Sequence, residues 1–245
     1  MSRNTAVRNE ALTQCQCGSR NSNLSFLFFA FLIVNLNLSP AFVYSQSSSN
    51  IINSEVGFWR IEAESPDTRV LLRGDTLDII TPAGLSLWWN QQLHAPCTIY
   101  YRACVVMGGG NYDRLSDLNC FWMADHIVSG GRFVDSYRMK CYYLGYGGNY
   151  NTTTRFRRYT ADTLAVTNPV HRPPILREYT DSAHLLIPNH WYAIRIEVTT
   201  EGSTLFYIDD ELLIDYLDPE PLLTGWFAFR TTWSHIRLAS FHIIQ

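Results

Sequence analysis

The sequence lacks the patterns of a helical protein and of several common catalytic classes. Beyond residue 46, no segment of ten or more residues has a convincing helical period of apolar residues. No Gly-x-Ser-x-Gly sequence and no catalytic-cysteine signature occurs, which argues against those hydrolase classes. The run Gly108–Gly110 lacks a following helix and a Lys-Ser or Lys-Thr pair, so it does not indicate a phosphate-binding loop.

Positive charge and metal-type cysteine spacing are also scarce. The formal charge is −3, and removing the leader described below makes the remainder about −5. A general nucleic-acid binder needs a basic face for phosphates, so we expect no nucleic-acid partner. No CxxC pair exists, and we therefore predict no metal site. Four cysteines remain after the leader, and they predict either two disulfides or four buried thiols: Cys97, Cys104, Cys120 and Cys141.

An apolar run near the N-terminus predicts export. Residues Leu24 to Val34 form an uncharged apolar segment that three arginines precede and small or polar residues follow. The run is shorter than the roughly 20 residues of a membrane span. We therefore predict a signal peptide at 1–46, a secreted or periplasmic location and no membrane contact after cleavage; an uncleaved N-terminal anchor is the alternative.

The rest of the chain reads as strands. After a short linker at 47–56, residues 57–245 are long enough for one domain with a sizeable core. In 190–199 the apolar residues Ile194, Ile196 and Val198 alternate with polar ones, which gives one buried face and one wet face. The predicted strands are 58–63, 77–80, 85–89, 97–107, 117–125, 137–146, 152–159, 190–199, 204–208, 212–216, 225–231 and 235–244.

Short strands with turns between them predict an all-β fold, a two-sheet antiparallel β-sandwich or jelly roll. Asp209-Asp210 is read as a hairpin turn between two of these strands. The segment 161–189 holds four prolines and no clear strand, and loops of this length are usually functional or disordered.

Several segments resemble a known superfamily. The end of the chain, including NHWYAIRIEV and GWFAFRTTWSHIRLASFHI, resembles the closing meander of concanavalin A-like lectin/glucanase jelly rolls. The central segments DRLSDLNCFWMAD, YYLGYGGNYNTTTRFRRY and ILREYTD are similar to a YesU-like bacterial family, whose members are mostly domains of unknown function. The resemblance covers Phe58 to Gln245. It implies the fold and an acidic, uronate-containing glycan as ligand, because such genes often accompany uronate breakdown, but it implies no reaction.

The motifs of two branches of that superfamily are missing. The glucanase branch carries a Glu-x-Asp-x-x-Glu strand, and the alginate-lyase branch carries Arg-Thr/Ser-Glu, Gln-Ile/Val-His and Tyr-Phe-Lys-Ala-Gly strands; none of these is present. An enzymatic site would therefore copy neither branch. The resemblance implies no cofactor, although a structural calcium ion stays an alternative because Asp-rich loops of this superfamily often bind calcium.

Two arginines are the first site candidates. Arg155 and Arg157 share one face of a strand because side chains alternate. A guanidinium offers a fork of donors that matches a carboxylate, such as that of a uronate. The alternative is that these arginines pair with acidic residues of the protein itself, such as Asp117 or Glu178.

β-Elimination on a uronate needs a base, an acid and a group that stabilises the sugar carboxylate. His126 and Tyr143 are the proton-transfer candidates, and Asn119, Arg155 and Arg157 are the stabilising candidates. Strand packing of the tyrosine and a surface role for the histidine remain alternatives. The predicted catalytic residues are His126, Tyr143, Arg155 and Arg157. The predicted substrate-binding residues are Asn119, Phe121, Asp125, Tyr142, Trp88 and Glu178.

Three functions stay open at this stage. The first is an exported polysaccharide lyase, or a hydrolase in second place, acting on an acidic plant or algal glycan. The second is a non-catalytic, lectin-like binder of such a polysaccharide or oligosaccharide. The third is an interaction domain that uses segment 161–189. The oligomeric state is left open.

Overall fold

The computed structural model describes residues 53–245, so the predicted signal peptide and the start of the linker lie outside the described residues. The first seven strands are β1 Asn53–Val56, β2 Trp59–Ala63, β3 Arg69–Arg73, β4 Thr76–Trp89, β5 Leu93–His94, β6 Cys97–Val105 and β7 Leu118–Ala124. The others are β8 Lys140–Gly147, β9 Thr153–Thr160, β10 Arg177–Tyr179, β11 Trp191–Val198, β12 Ser203–Ile208, β13 Glu211–Leu217 and β14 Thr224–Ile244. Short 3-10 turns occupy Phe133–Arg138, Thr163–Val166, Pro169–His171 and Ser182–His184.

The predicted all-β, antiparallel two-sheet architecture is confirmed. The first sheet has the order β10-β9-β8-β7-β14-β4-β2-β1, and the second has the order β3-β4-β14-β6-β11-β12-β13. Strands β4 and β14 run through both sheets, side by side along most of their length. Within residues 53–245, no helix has the length and apolar character of a membrane span.

The two shared strands bend at adjacent positions. The sequence Thr81-Pro82-Ala83-Gly84 lies in the middle of β4, opposite Thr232 to Ser234 of β14, where the pairing register shifts. Trp233 at this shift has a left-handed φ of 40°. The prediction of four separate strands here was wrong, because a bulge and a proline can turn a corner without ending a strand.

The main core lies between the sheets. Ile194, Ile196 and Val198 point inward as predicted, and Trp122 is buried in the same cluster. The indole Nε1 of Trp122 donates to Thr204 Oγ1 at 2.8 Å, which satisfies a polar group that has no access to water. The Asp209-Asp210 turn joins β12 to β13 with both residues at positive φ, which confirms the predicted hairpin.

A second apolar cluster covers part of the first sheet on the face that points away from the main core, which we call the outer face. Trp88, Phe121 and Tyr159 form its floor, and Tyr137 and Ala165 belong to the segments that cover it. These covering segments lie between β7 and β8 and in the proline-rich stretch after β9. The outer face is therefore only partly open to solvent.

Two smaller expectations are also resolved. The four cysteines are buried free thiols, so the alternative of two disulfides is not formed. Burial raises the pKa of Cys97 to about 11 and that of Cys120 to about 12, which keeps both thiols protonated. The predicted linker is shorter than expected at its end, since Asn53–Val56 pairs with β2 as a strand.

Candidate functional site

A row of polar residues crosses the outer face, from the buried Arg230 and Asn119 to the partly exposed Arg155. The strand register places Arg230 of β14, Asn119 of β7, Gly145 of β8 and Arg155 of β9 side by side. The neighbouring row contains Tyr143 beside Arg157, and these side chains share the outer face because strand residues alternate. We call this region the polar strip and define it by Arg114, Asp117, Asn119, Tyr143, Arg155, Arg157 and Arg230.

The two predicted arginines do lie together on the strip. Arg155 Nε donates to Glu178 Oε1 at 2.6 Å, and about a third of each side chain is exposed. Arg157 donates to the backbone carbonyl of Pro173 and forms no ion pair within residues 53–245. The alternative of an internal ion pair thus holds for Arg155 and not for Arg157. Both keep further N–H groups for which no hydrogen bond occurs among the described residues.

Arg230 is the buried cation of the strip. Its Nη1 donates to the Leu85 carbonyl at 2.8 Å, while its Nε has no hydrogen-bond partner among the described residues. Burial lowers the pKa of Arg230, and the nearby Tyr143, Glu64 and Asp117 oppose that shift. The Oδ1 atom of the adjacent Asn119 also lacks a partner, while its Nδ2 donates to Asp117 at 3.4 Å. Buried polar groups without partners are rare and call for an explanation.

The Tyr143 side chain lies over Gly145, the glycine of the polar row. A Cβ added at Gly145 would meet the Tyr143 hydroxyl at 2.6 Å, so the absent side chain makes room for the phenol. This hydroxyl makes no hydrogen bond to the described residues. Burial raises the pKa of Tyr143, Asp117 adds to the rise, and Arg230 and Arg157 oppose it. A phenol with a raised pKa keeps its proton at neutral pH, so it donates hydrogen bonds more readily than it removes protons.

An exposed tyrosine borders the strip at the β8–β9 turn. Tyr150 is 73% exposed and has φ 57° and ψ 45°, and the flanking Asn149 and Asn151 are also at positive φ. Three consecutive non-glycine residues in the left-handed region store backbone strain, which is most common at functional sites. The guanidinium of Arg114 stacks on the Tyr150 ring at 5.4 Å and also pairs with Asp117.

A second exposed aromatic ring adjoins the same arginine. Trp233 is 52% exposed, and its backbone carbonyl accepts a hydrogen bond from Arg114 Nε at 3.0 Å. Rings of this kind stack on the apolar faces of sugars while their polar edges meet hydroxyl groups. The strip therefore offers aromatic surface at one end and guanidinium groups along its length.

The structure does not bring the predicted proton carrier to the strip. His126 is half-exposed and contacts Asp125 at 2.7 Å, beyond the opposite end of β7 from Asp117. Met123 has a left-handed φ of 53° and points into the main core beside Trp122. This irregularity breaks the alternation of side chains along β7, and Asp125, predicted to bind the substrate, lies with His126 beyond the end of β7.

Besides Asn119, which is 6% exposed on the strip, three predicted sugar contacts are buried. Trp88 and Phe121 face outward from the sheet but lie under the covering segments, with at most 1% of their surface exposed. Tyr142 points into the main core, and its hydroxyl donates to Asp218 Oδ2 at 2.8 Å. Consecutive strand residues face opposite sides, so Tyr142 and Tyr143 could not share one face. Glu178 does border the strip, but as the partner of Arg155.

Sequence reasoning missed Arg114, Arg230 and Tyr150 as a group. Arg114 lies in a predicted loop and Arg230 in an ordinary predicted strand. The strand register places Arg230 on the strip, whereas contacts with Asp117 and the Trp233 carbonyl place Arg114 there. For Tyr150, the neighbouring glycine and asparagine residues signal a turn but not its left-handed backbone. No cluster of three or more His, Cys, Asp or Glu side chains suited to a metal ion occurs within residues 53–245, and structural calcium stays a prediction.

Comparison with solved structures shows the same fold. A carbohydrate binding module, CBM66, from Bacillus subtilis has a TM-score of 0.52 at 12% identity, over 77% of this chain and 96% of that chain. A protein of unknown function with a galectin-like fold, also from Bacillus subtilis, has a TM-score of 0.57 at 14% identity, over 76% and 89%. A legume lectin-like domain from Entamoeba histolytica has a TM-score of 0.54 at 9% identity, over 76% and 89%.

Sequence comparison identifies a family. No curated protein sequence matches the chain. A family described as "Domain of unknown function (DUF6250)" matches residues 79–241, which extend from β4 to the last part of β14 and include every residue of the polar strip. The chain therefore belongs to the DUF6250 family.

Proposed function

We propose that this domain binds an acidic, uronate-containing glycan outside the cytoplasm and that the polar strip is the binding surface. The observation that carries the proposal is the alignment of Arg155, Arg157 and Arg230 with Asn119 on one face of adjacent strands. Unpartnered donors on guanidinium groups suit the carboxylates of a uronate chain. The export of the domain rests on the apolar run at residues 24–34.

The charge balance of the strip supports an acidic ligand. Four guanidinium groups, from Arg114, Arg155, Arg157 and Arg230, face three nearby carboxylates, from Glu64, Asp117 and Glu178. The chain as a whole carries an excess of acidic residues. A local excess of positive charge in an acidic protein directs acidic ligands to that surface. The same fold occurs in a carbohydrate binding module and in a legume lectin-like domain, which adds support from the fold alone.

Binding fits the geometry better than catalysis. The predicted proton carrier His126 lies beyond the far end of β7, and the raised pKa of Tyr143 opposes a role as a base. The resemblance to the YesU-like family stays a prediction, and membership of that family would support a uronate ligand. We therefore place a lectin-like binder first and a lyase second.

The test of binding compares one arginine on the strip with a matched arginine elsewhere. Arg155→Ala removes a half-buried, ion-paired strand arginine from the strip, and Arg195→Ala removes one from β11 of the second sheet, where it pairs with Glu197. A charge-assisted hydrogen bond to a carboxylate is worth about 1.5–3 kcal/mol, and partial exposure reduces this to about 1–2 kcal/mol. Since about 1.4 kcal/mol corresponds to a tenfold change in the dissociation constant, we expect Arg155→Ala to weaken the affinity for polygalacturonate or alginate by roughly 5- to 30-fold.

Isothermal titration with both polymers, and with neutral dextran as a control, gives the readout. We expect the wild type and Arg195→Ala to bind the acidic polymers alike and to ignore dextran. Stronger salt should weaken the binding, since part of the strip is exposed. Equal binding of dextran and of the acidic polymers, or an equal loss in both variants, would refute the proposal.

β-Elimination is the second candidate because of one observation. The unpartnered Tyr143 hydroxyl lies near Arg157 and Arg230, with Asn119 one row away, so a proton donor and carboxylate-stabilising groups are adjacent. A lyase would produce unsaturated sugar ends that absorb ultraviolet light, and Tyr143→Phe would abolish that absorbance. Binding without any rise in absorbance by the wild type would leave the lectin-like function alone.

A further inference from the structure

A separate cavity of about 150 Å³ lies at one end of the sandwich. It forms where the turn between β12 and β13 meets residues 183–190, at the end of the proline-rich segment. It shares no residue with the polar strip. Its lining consists of Tyr146, Ala183, His184, Leu185, Ile187, His190, Tyr192, Ile208, Asp209, Glu211 and Leu213.

The lining is rich in hydrogen-bond acceptors and has no lysine or arginine. Asp209 Oδ1 accepts from the Ala193 amide at 2.7 Å, and its Oδ2 contacts His190 Nε2 at 3.1 Å. The Glu211 backbone pairs with Ile208, while its carboxylate makes no hydrogen bond or ion pair to the described residues. The two carboxylates can accept hydrogen bonds from a ligand and repel an anionic one, while His184 and His190 each contact a carboxylate of the protein itself.

The floor of the cavity is aromatic and apolar. The rings of Tyr146 and Tyr192 meet edge-to-face at 5.1 Å, and Ile187 and Leu213 complete the apolar lining. Burial raises the pKa of both tyrosines, so they stay neutral. Aromatic faces attract cations. A cavity of about 150 Å³ accepts a six-membered ring, since an engineered cavity of that size in another protein binds benzene.

We propose that this end pocket binds a single sugar ring that carries an ammonium group, as in an unacetylated hexosamine. The ammonium group pairs with Glu211 and Asp209, the hydroxyl groups donate to the remaining acceptors, and the C–H faces contact the apolar side chains. The end pocket therefore selects a cationic ring, whereas the polar strip selects anionic ones. This inference does not depend on the polar strip.

Titration of the full chain with free glucosamine, N-acetylglucosamine and glucose tests the proposal. We expect glucosamine to bind at least about tenfold more tightly than the other two, because only glucosamine offers a charged donor. Glu211→Gln should weaken glucosamine binding by about tenfold while it keeps the side-chain shape. Ala183→Phe, which fills the cavity from its exposed rim, should abolish binding.

Two controls separate this site from the rest of the protein. Glu201→Gln makes the same charge change at the other end of β12, in the β11–β12 turn, and should leave glucosamine binding unchanged. Arg155→Ala should also leave it unchanged, so failure of the polar strip and failure of the end pocket are distinguishable. Equal binding of glucosamine and glucose, or full binding by Glu211→Gln with an unchanged unfolding midpoint, would overturn the proposal.

Discussion

Replacing Tyr150 with glycine should weaken glycan binding without weakening the fold. Tyr150 has φ 57° and ψ 45°, a left-handed conformation that costs a non-glycine residue about 1–2 kcal/mol and costs glycine nothing. This gain in the free energy of unfolding is offset by about 0.5–1 kcal/mol, because glycine gives the unfolded chain more conformational freedom. Loss of the exposed stacking between the Tyr150 ring and Arg114 lowers the free energy of unfolding by about 0.5–1 kcal/mol more. The free energy of unfolding should therefore stay within about 1 kcal/mol of the wild type.

The effect on binding should be separate from this balance. The ring is 73% exposed, so its removal takes little from the core but removes the aromatic surface next to the strip. An aromatic contact contributes about 0.5–1.5 kcal/mol to the binding free energy. Its loss in Tyr150→Gly should raise the dissociation constant by roughly 2- to 12-fold. Urea unfolding and isothermal titration with polygalacturonate measure the two quantities. Asn149→Gly relieves the same kind of backbone strain, at φ 51°, and keeps the ring.

Three outcomes would refute this prediction. Unchanged binding by Tyr150→Gly would mean that the ring takes no part in recognition. A loss of more than about 2 kcal/mol in the free energy of unfolding would mean that the turn is not strained and that the ring supports the fold. Equal loss of binding in Asn149→Gly would trace the effect to the backbone and not to the aromatic surface.

Two further predictions concern the scaffold. Thr204→Val leaves the buried indole N–H of Trp122 without its 2.8 Å acceptor. Urea unfolding should therefore show a loss of about 1–3 kcal/mol in the free energy of unfolding. A loss below roughly 0.5 kcal/mol, the scale of a surface substitution, would contradict this prediction. Burial alone would raise the pKa of Asp78, but hydrogen bonds and charges from His235 and a nearby arginine lower it overall. The stabilisation by the ionised Asp78 is present above the unfolded pKa of about 4 and is lost as the pH falls through the folded pKa. The difference in unfolding free energy between the wild type and Asp78→Asn should therefore shrink between roughly pH 5 and pH 2. A difference that stays constant over this range would contradict the prediction.

The regular strands could be predicted because their signals are local. Alternation of Ile194, Ile196 and Val198 identifies both the strand and its buried face, and the double-aspartate turn fits the hairpin that follows. The corner in β4 could not be predicted in the same way. A proline and a glycine two positions apart, such as Pro82 and Gly84, look the same in sequence whether a strand ends or bends, and only the pairing of β4 with both halves of β14 decides.

The candidate site was predictable where it depends on one strand. Arg155 and Arg157 share a face because of the two-residue period, and the structure places both on the outer face. The exclusion of Phe121 could not be predicted, because the segments that cover it come from distant parts of the sequence. The irregular backbone at Met123 also has no local signal, although it decides where the following side chains point.

The sharing of β4 and β14 by both sheets has a mechanical consequence. In a sandwich made of two separate layers, one layer can slip over or detach from the other while each keeps its own hydrogen bonds. In this fold β4 and β14 are central strands of both layers. Separating one layer must therefore also break the hydrogen bonds of these strands in the other layer. Amide hydrogens in the two halves of β14 should therefore exchange through one common opening event, and residues 57–245 should melt in a single step.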